Sequence, residues 1–442
     1  MRENVNKQTE AAVPAAYRIH FAMLVSCFVL WGLLNNMTDN LVPAFGKIFM
    51  MKSVDSSYVQ VAFYGAYAVL AVPAALLIRK YSYRTGVLAG LGLYITGALG
   101  YIPSAILQNY KLFLVSIFTL ASGLSILETT CNPFVISIGS PQTSVRRLNL
   151  AQAFNPLGSL LGIMMAKFLI LSHLNPAGYE ERLDMLPEQL AKVRAGELVW
   201  VCVPYVGLIA VAVIIWVFFL KKKSSEKDNS GELHILQSVK KLFESPRYLS
   251  GVVTQFFYVG MQIAVWTWTI KYVMVTKHVD EAEGAEVYLA AIIVFIMCRW
   301  LCTALMKKIK PVWIMLVMAV IGVIVTLGTI YLPTNISVIC LICISGCMSL
   351  MFPTIYGIAL DGMGEEVKFG AAGLVMAILG GAVITPIMGK TIDMGTFANS
   401  LHNFAEEAAA VRSAFWIPVV CFAMIFLYAL VFRNYDKKEI FR

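Results

Sequence analysis

Charge is scarce in this sequence. Asp, Glu, Lys and Arg make up 14% of its 442 residues, against about 25% in a typical soluble domain. A water-facing domain of this size needs far more polar surface, so soluble enzymes and nucleic-acid binders are excluded first. Histidine is scarcer still: His20, His173, His234, His278 and His402 all stand at the ends of apolar runs or between them. Neither HExxH nor GxSxG occurs in those runs, so a membrane-embedded hydrolase has no motif to support it. The nine cysteines lie inside or at the edge of apolar runs, without a zinc-ligand pattern. They read as small apolar side chains between helices. No metal, cofactor or enzyme activity is expected. The polar start, Met1 to His20, meets a long apolar stretch with no short hydrophobic core and cleavage site, which predicts an uncleaved first span and not a signal peptide.

What the chain has in abundance is apolar sequence. Hydrophobic residues make up 59% and the mean hydropathy is +0.74. A bilayer core about 30 Å thick takes roughly 20 apolar residues per helix. Runs of that length fall near 20–43, 58–78, 86–106, 112–139, 147–171, 200–220, 250–276, 286–306, 312–332, 336–361, 369–392 and 412–432, which predicts twelve transmembrane helices. The net charge of +9 reflects orientation. Basic residues concentrate on the side of the N-terminus, in clusters such as Arg79, Lys80 and Arg84 or Lys221, Lys222 and Lys223. By the positive-inside rule both termini are expected in the cytoplasm.

Spacing predicts two six-helix bundles, 1–220 and 249–442, around a cytoplasmic linker, 221–248. Within the linker, HILQSVKKLF has apolar residues at helical spacing and predicts a short helix on the membrane surface. The loop from His173 to Glu197, containing LDMLPEQLAKVRAGE, predicts an outer capping helix. The halves also resemble each other. FVLWG (28–32) matches FFYVG (256–260), with Gly32 and Gly260 in register; NLAQAFNPLGSLLG matches GAAGLVMAILGG. A duplicated six-helix unit suits a transporter that rocks two halves about a midplane site. Pro133, Pro156, Pro353 and Pro386 are expected to interrupt spans four, five, ten and eleven.

Ionisable groups inside a bilayer are unfavourable and mark function by default. Asp39 lies deep in span one and Glu128 in the middle of span four. Asn35 and Asn36 share a helical face with Asp39, and Asn132 shares one with Glu128. Gln152 and Asn155 share a face of span five, with Asn149 one turn earlier. In span seven Gln255, Tyr258, Gln262 and Trp266 recur at three and four residues and form one stripe; Trp268, Phe352 and Tyr356 add aromatic faces. Amides and carboxylates bond sugar hydroxyls while an aromatic plane covers the ring. Lys167 and Arg299 also lie within spans. Arg299 is expected to snorkel to a membrane face, or else to pair with an acid of the opposite half.

NNMTDNLVPAF (35–45), LETTCNPFVISIG (127–139), RRLNLAQAFNPLGS (146–159) and QFFYVGMQIAVWTWTIKY (255–272) resemble the fucose–galactose–glucose:proton symporter family of the major facilitator superfamily. The resemblance implies an all-α membrane fold of twelve helices, two six-helix bundles related by a pseudo-two-fold axis, in a bacterial inner membrane. It implies a monomer, surrounded by membrane lipid, that imports a monosaccharide, foremost L-fucose, together with protons. Asp39 and Glu128 match the family's proton-coupling acids, and Asn36, Asn132, Gln152 and Asn155 match its pocket amides. Cys131 and Phe352 stand where the family has Ala and Tyr, which leaves glucose/galactose, L-rhamnose or N-acetylglucosamine open as the sugar. A proton-coupled exporter is a rival of different class, and the density of Asn and Gln speaks against it.

Overall fold

The computed structural model describes residues 12–51, 58–177, 179–221, 235–279, 281–395, 401 and 404–433; the side chains at 39, 40, 42, 43, 179, 180, 235, 236, 238, 239, 281, 282 and 365, Asp39 among them, lie outside the described residues. Among the described residues the chain is helical throughout, with no strand. Among them, twelve helices are long and apolar enough to cross a membrane. Span one is Arg18–Ile48, span two Tyr58–Lys80, span three Tyr83–Ile106 and span four Tyr110–Ser137. Span five is Pro141–His173, span six Pro187–Lys221, span seven Pro246–Lys277 and span eight Glu283–Leu305. Spans nine to twelve are Pro311–Tyr331, Thr334–Leu360, Val367–Met394 and Glu406–Phe432.

The outer capping helix expected between His173 and Glu197 is not a separate element. Span six begins at Pro187 and continues for 35 residues, about 52 Å at 1.5 Å per residue. That exceeds the hydrocarbon core, so the PEQL segment is the protruding first part of span six. Proline at the first helical position starts it well, because that position has no intrahelical bond to lose. A buried pair holds its base: Arg182 donates to Glu197 Oε1 at 2.5 Å and Oε2 at 3.0 Å.

Proline marks the helix breaks only in part. Span five is broken at Ala153–Phe154, just before Asn155 and Pro156, and span ten at Ser349–Leu350, shortly before Pro353. Pro133 and Pro386, expected to interrupt their spans, lie inside continuous helix. Span eleven is interrupted instead at Ala377–Leu379, a single tighter turn. A proline removes one donor, and a helix with good packing on either side tolerates that loss.

Packing divides the chain into two compact units. One comprises Ala16–Val135 and Phe154–His234; the other comprises Met1–Ala15, Ile136–Ala153 and Ile235–Arg442. In the first, spans one and five cross with no room for side chains at the crossing. A Cβ on Gly32 would collide with the Asn155 carbonyl, one on Gly158 with Val29 O and one on Gly162 with Leu33 O. In the second, span seven crosses span eleven the same way: a Cβ on Gly380 would collide with Phe256 O, and Gly260 lies against Gly380. The register between Gly32 and Gly260 is therefore structural. It reports one backbone-on-backbone crossing built twice, the small-residue packing that membranes favour.

The second unit includes the stretch Ile136–Ala153. Asn149 Nδ2 donates to Thr354 Oγ1 at 3.2 Å, and a Cβ at Gly357 would touch Val145. The first part of the linker, 222–234, lies outside the described residues. Ile235–Phe243 is a helix as expected, with Lys240 and Lys241 exposed and Leu242 buried beside Gly370.

Gly158→Ala and Gly380→Ala are each expected to destabilise the protein by about 1–3 kcal/mol, the usual cost of overpacking. Gly207→Ala, whose Cβ would meet nothing within 4 Å, is expected to be neutral. Thermal unfolding in detergent would check the contrast.

Candidate functional site

In the first unit the candidate residues gather where spans one, two and four pack. Glu128 is 3% exposed, and among the described residues neither carboxylate oxygen has a hydrogen-bond partner. It faces no lipid. One turn on, Asn132 is fully buried and its Nδ2 donates to the Glu128 backbone carbonyl at 3.1 Å. Tyr67 of span two lies within electrostatic reach of Glu128 and accepts a hydrogen bond from Trp31 Nε1 at 2.8 Å. Indole is a donor only, so this bond uses a lone pair of Tyr67 and leaves its own proton to be given elsewhere. Trp31 and Tyr67 were not among the residues singled out from sequence, since single aromatics in greasy helices carry no signal.

Asn36 is half-buried and donates to Gly32 O at 3.1 Å. Asn155 Nδ2 donates to Phe28 O at 3.1 Å, across the crossing of spans one and five. Its amide therefore serves that crossing directly. Asp39 stands in the helix of span one, and its side chain lies outside the described residues.

In the second unit the span-seven stripe persists, and span ten engages part of it. Gln255 is fully buried, and neither its Nε2 nor its Oε1 has a partner among the described residues. Tyr258 donates to Met348 O at 3.1 Å and meets Phe352 edge-on at 6.4 Å. Trp266 Nε1 donates to Ser345 Oγ at 3.1 Å, and its ring meets Phe295 edge-on at 5.1 Å. Gln262 is half-buried between them. Trp268, apart from the stripe, donates its Nε1 to Thr385 O of span eleven at 3.2 Å. Phe352 and Tyr356 stack at 6.2 Å. The polar ends of Tyr258 and Trp266 thus fix span seven to span ten, and the two glutamines carry the stripe's other hydrogen-bonding groups.

Arg299 does not snorkel, and among the described residues it pairs with no acid. It is 3% exposed; its Nε donates to Ser349 O and its Nη1 to Gln152 O at 3.1 Å. Its guanidinium lies 4.8 Å from the Phe295 ring centre. Ser349 and Gln152 sit at the breaks of spans ten and five, where helix carbonyls lose their intrahelical partners and carry partial negative charge. A planar fork of five donors suits two such carbonyls better than a membrane face would. Gln152 is buried beside this contact. Sequence shows an arginine inside a span but not the two breaks that hold it.

Among the described residues no group of three or more His, Cys, Asp or Glu could hold a metal ion. The arrangement offers buried amides, a carboxyl and aromatic faces, the means of holding a polar solute.

The Major Facilitator Superfamily profile matches residues 20–386. The L-fucose-proton symporter of Haemophilus influenzae is 38% identical over 93% of this chain and 95% of its own length. A crystal structure of the Escherichia coli fucose:proton symporter superposes with a TM-score of 0.84 at 31% identity, covering 94% of this chain and 98% of that one. A glucose/galactose transporter of Brucella abortus is 28% identical over 96% of each chain.

Arg299→Gln is expected to destabilise the protein by about 1–3 kcal/mol for each carbonyl left buried and unpaired. Arg299→Lys, which reaches one carbonyl but not both, should recover less than the full loss. Melting temperatures of the purified variants would check both.

Proposed function

The chain belongs to the Major Facilitator Superfamily, and we propose that it is a proton-coupled symporter that imports L-fucose across a bacterial inner membrane by alternating access. The observation that carries the reading is Glu128: a carboxyl buried among helices, with both oxygens unpartnered among the described residues, in a chain 38% identical to an L-fucose-proton symporter. An ionised carboxylate in a closed, dry cavity is strongly unfavourable. Such a group needs a proton or a solute that bonds it.

Asp39 and Glu128 are the proton-coupling acids of this reading. Asp39 takes up a proton before the loaded carrier closes and turns inward. Glu128 bonds sugar hydroxyls directly and shares that protonation step, which makes uptake stoichiometric with protons. Asn36, Asn132, Gln152 and Asn155 from one half, with Gln255, Tyr258, Gln262 and Trp266 from the other, bond the hydroxyls and cover the ring. The halves are 1–220 and 249–442, joined by a cytoplasmic linker over 221–248. The chain works as a monomer in lipid, with both termini in the cytoplasm.

A second reading keeps the mechanism and changes the sugar. The glucose/galactose transporters among the relatives favour it, as does Phe352, which offers the pocket no hydroxyl. Pockets discriminate strongly through hydroxyl pairing, so one side chain can redirect the preference.

Asp39→Asn is expected to abolish uphill sugar accumulation in proteoliposomes while sugar exchange continues; a variant that still concentrates sugar under a proton gradient removes Asp39 from this role. Glu128→Gln should weaken sugar binding about 10- to 100-fold, the loss of a hydrogen bond to a charged group, together with coupling. Unchanged affinity takes Glu128 out of the pocket. Competition among labelled fucose, galactose, glucose, rhamnose and N-acetylglucosamine should rank L-fucose first, and a hexose ranking above it decides for the second reading.

A further inference from the structure

Between spans three and six lies an open groove of about 480 Å³. Ile102 and Ile106 form one wall, and Val199, Val203 and Val206 the other. Ala105 and Ala195 keep it open, being too short to fill it. These walls face outward: Ile106 is 75% exposed and Val199 57%. The floor behind them is firm. Tyr101 and Tyr205 stack at 4.1 Å, and Cys202 Sγ donates to Tyr101 O at 3.4 Å.

The groove changes character beyond Ala195 and Ile106. There Gln108 Nε2 donates to Ala191 O at 3.1 Å and ties the end of span three to span six. Lys192, Ala195, Val199, Val203 and Val206 recur at three and four residues along span six, so Lys192 lies on the groove's own stripe, one turn beyond its apolar part. Lys111 follows Gln108 by three residues. Both lysines are exposed, and among the described residues neither has an ion-pair partner. The neighbouring Arg194 is engaged, donating to Ile48 O at 3.2 Å and lying 5.6 Å from the Phe49 ring centre.

Length identifies the occupant. From Ala195 to Val206 the helix rises about 16 Å, half of a hydrocarbon core about 30 Å thick. A channel that is apolar for the depth of one leaflet and then cationic has the form and charge of a single phospholipid. We propose that this groove is a binding site for one anionic phospholipid, with an acyl chain between spans three and six and the headgroup phosphate at Lys192 and Lys111. A neutral lipid would leave the lysines unused. A second copy of the chain packed symmetrically here would bring like charges together.

The test is native mass spectrometry of the purified full chain, titrated with phosphatidylglycerol or with phosphatidylcholine of the same acyl chains. Phosphatidylglycerol should be retained about tenfold or more over phosphatidylcholine, given two basic side chains at the headgroup. The surface exchange Lys111→Gln/Lys192→Gln should abolish that preference, and Val203→Trp, which fills the groove, should reduce retention of both lipids; each variant is first shown to be monodisperse. Equal retention of the two lipids by the unmodified chain overturns the proposal, as does a preference that survives the lysine exchange. A dimer mass that Val203→Trp converts to monomer also overturns it, assigning the groove to a second copy.

Discussion

Hydrocarbon has no hydrogen bonds to give, and this governs where every polar group in the chain can stand. Helix ends that fall within packed regions are answered by arginine. Arg412 is fully buried and donates to the carbonyls of Thr329, Ile330 and Leu332 at 3.1, 3.3 and 2.9 Å, closing the end of span nine. Arg84 does the same for span six through Phe219 O and Leu220 O, both at 2.7 Å. Arg299 answers two interrupted helices at once. Guanidinium is suited to this work because it carries several donors in one plane and meets the partial negative charge of a helix C-terminus. Against such careful pairing, the groups left unanswered stand out. Glu128 and Gln255 are buried with their side-chain hydrogen-bonding atoms unpartnered among the described residues, and under the proposed function a passing solute pairs them.

The same constraint explains the glycines. Lipid is as apolar as leucine, so greasy side chains alone cannot drive helices together; close backbone approach can. Spans one and five, and again spans seven and eleven, meet with a helix backbone resting on glycine. These crossings leave little freedom for local repacking, whereas spans five, ten and eleven are each interrupted along their length. Rigid crossings beside interrupted helices are the mechanical ingredients of a carrier that changes shape without dissolving its contacts.

Much of this was readable from residues alone, and for physical reasons. Twelve spans follow from counting apolar runs, because bilayer thickness dictates their length. The alignment of Gly32 with Gly260 pointed to a duplicated unit, and the structure adds that each glycine marks a close helix crossing. Less was readable where sequence position and spatial position part company. Pro133 and Pro386 look like breaks and are not, while the break at Ala377–Leu379 has no proline at all. The PEQL segment reads as a separate helix because its composition is polar, but no residue between it and the apolar run stops the helix.

Composition and periodicity by themselves determined that the chain is a bundle of membrane-crossing helices with rare, suspicious polar groups inside, because insertion into hydrocarbon filters each residue locally. Partnership was decided only by tertiary structure. Arg299 was one arginine in a span until the ends of two other helices came to its guanidinium; Trp266 and Tyr258 were a stripe until span ten took their donors; Trp31 and Tyr67 were ordinary aromatics until they met near Glu128. A hydrogen bond depends on distances of a few tenths of an ångström between residues far apart in the chain, and no one-dimensional pattern encodes that.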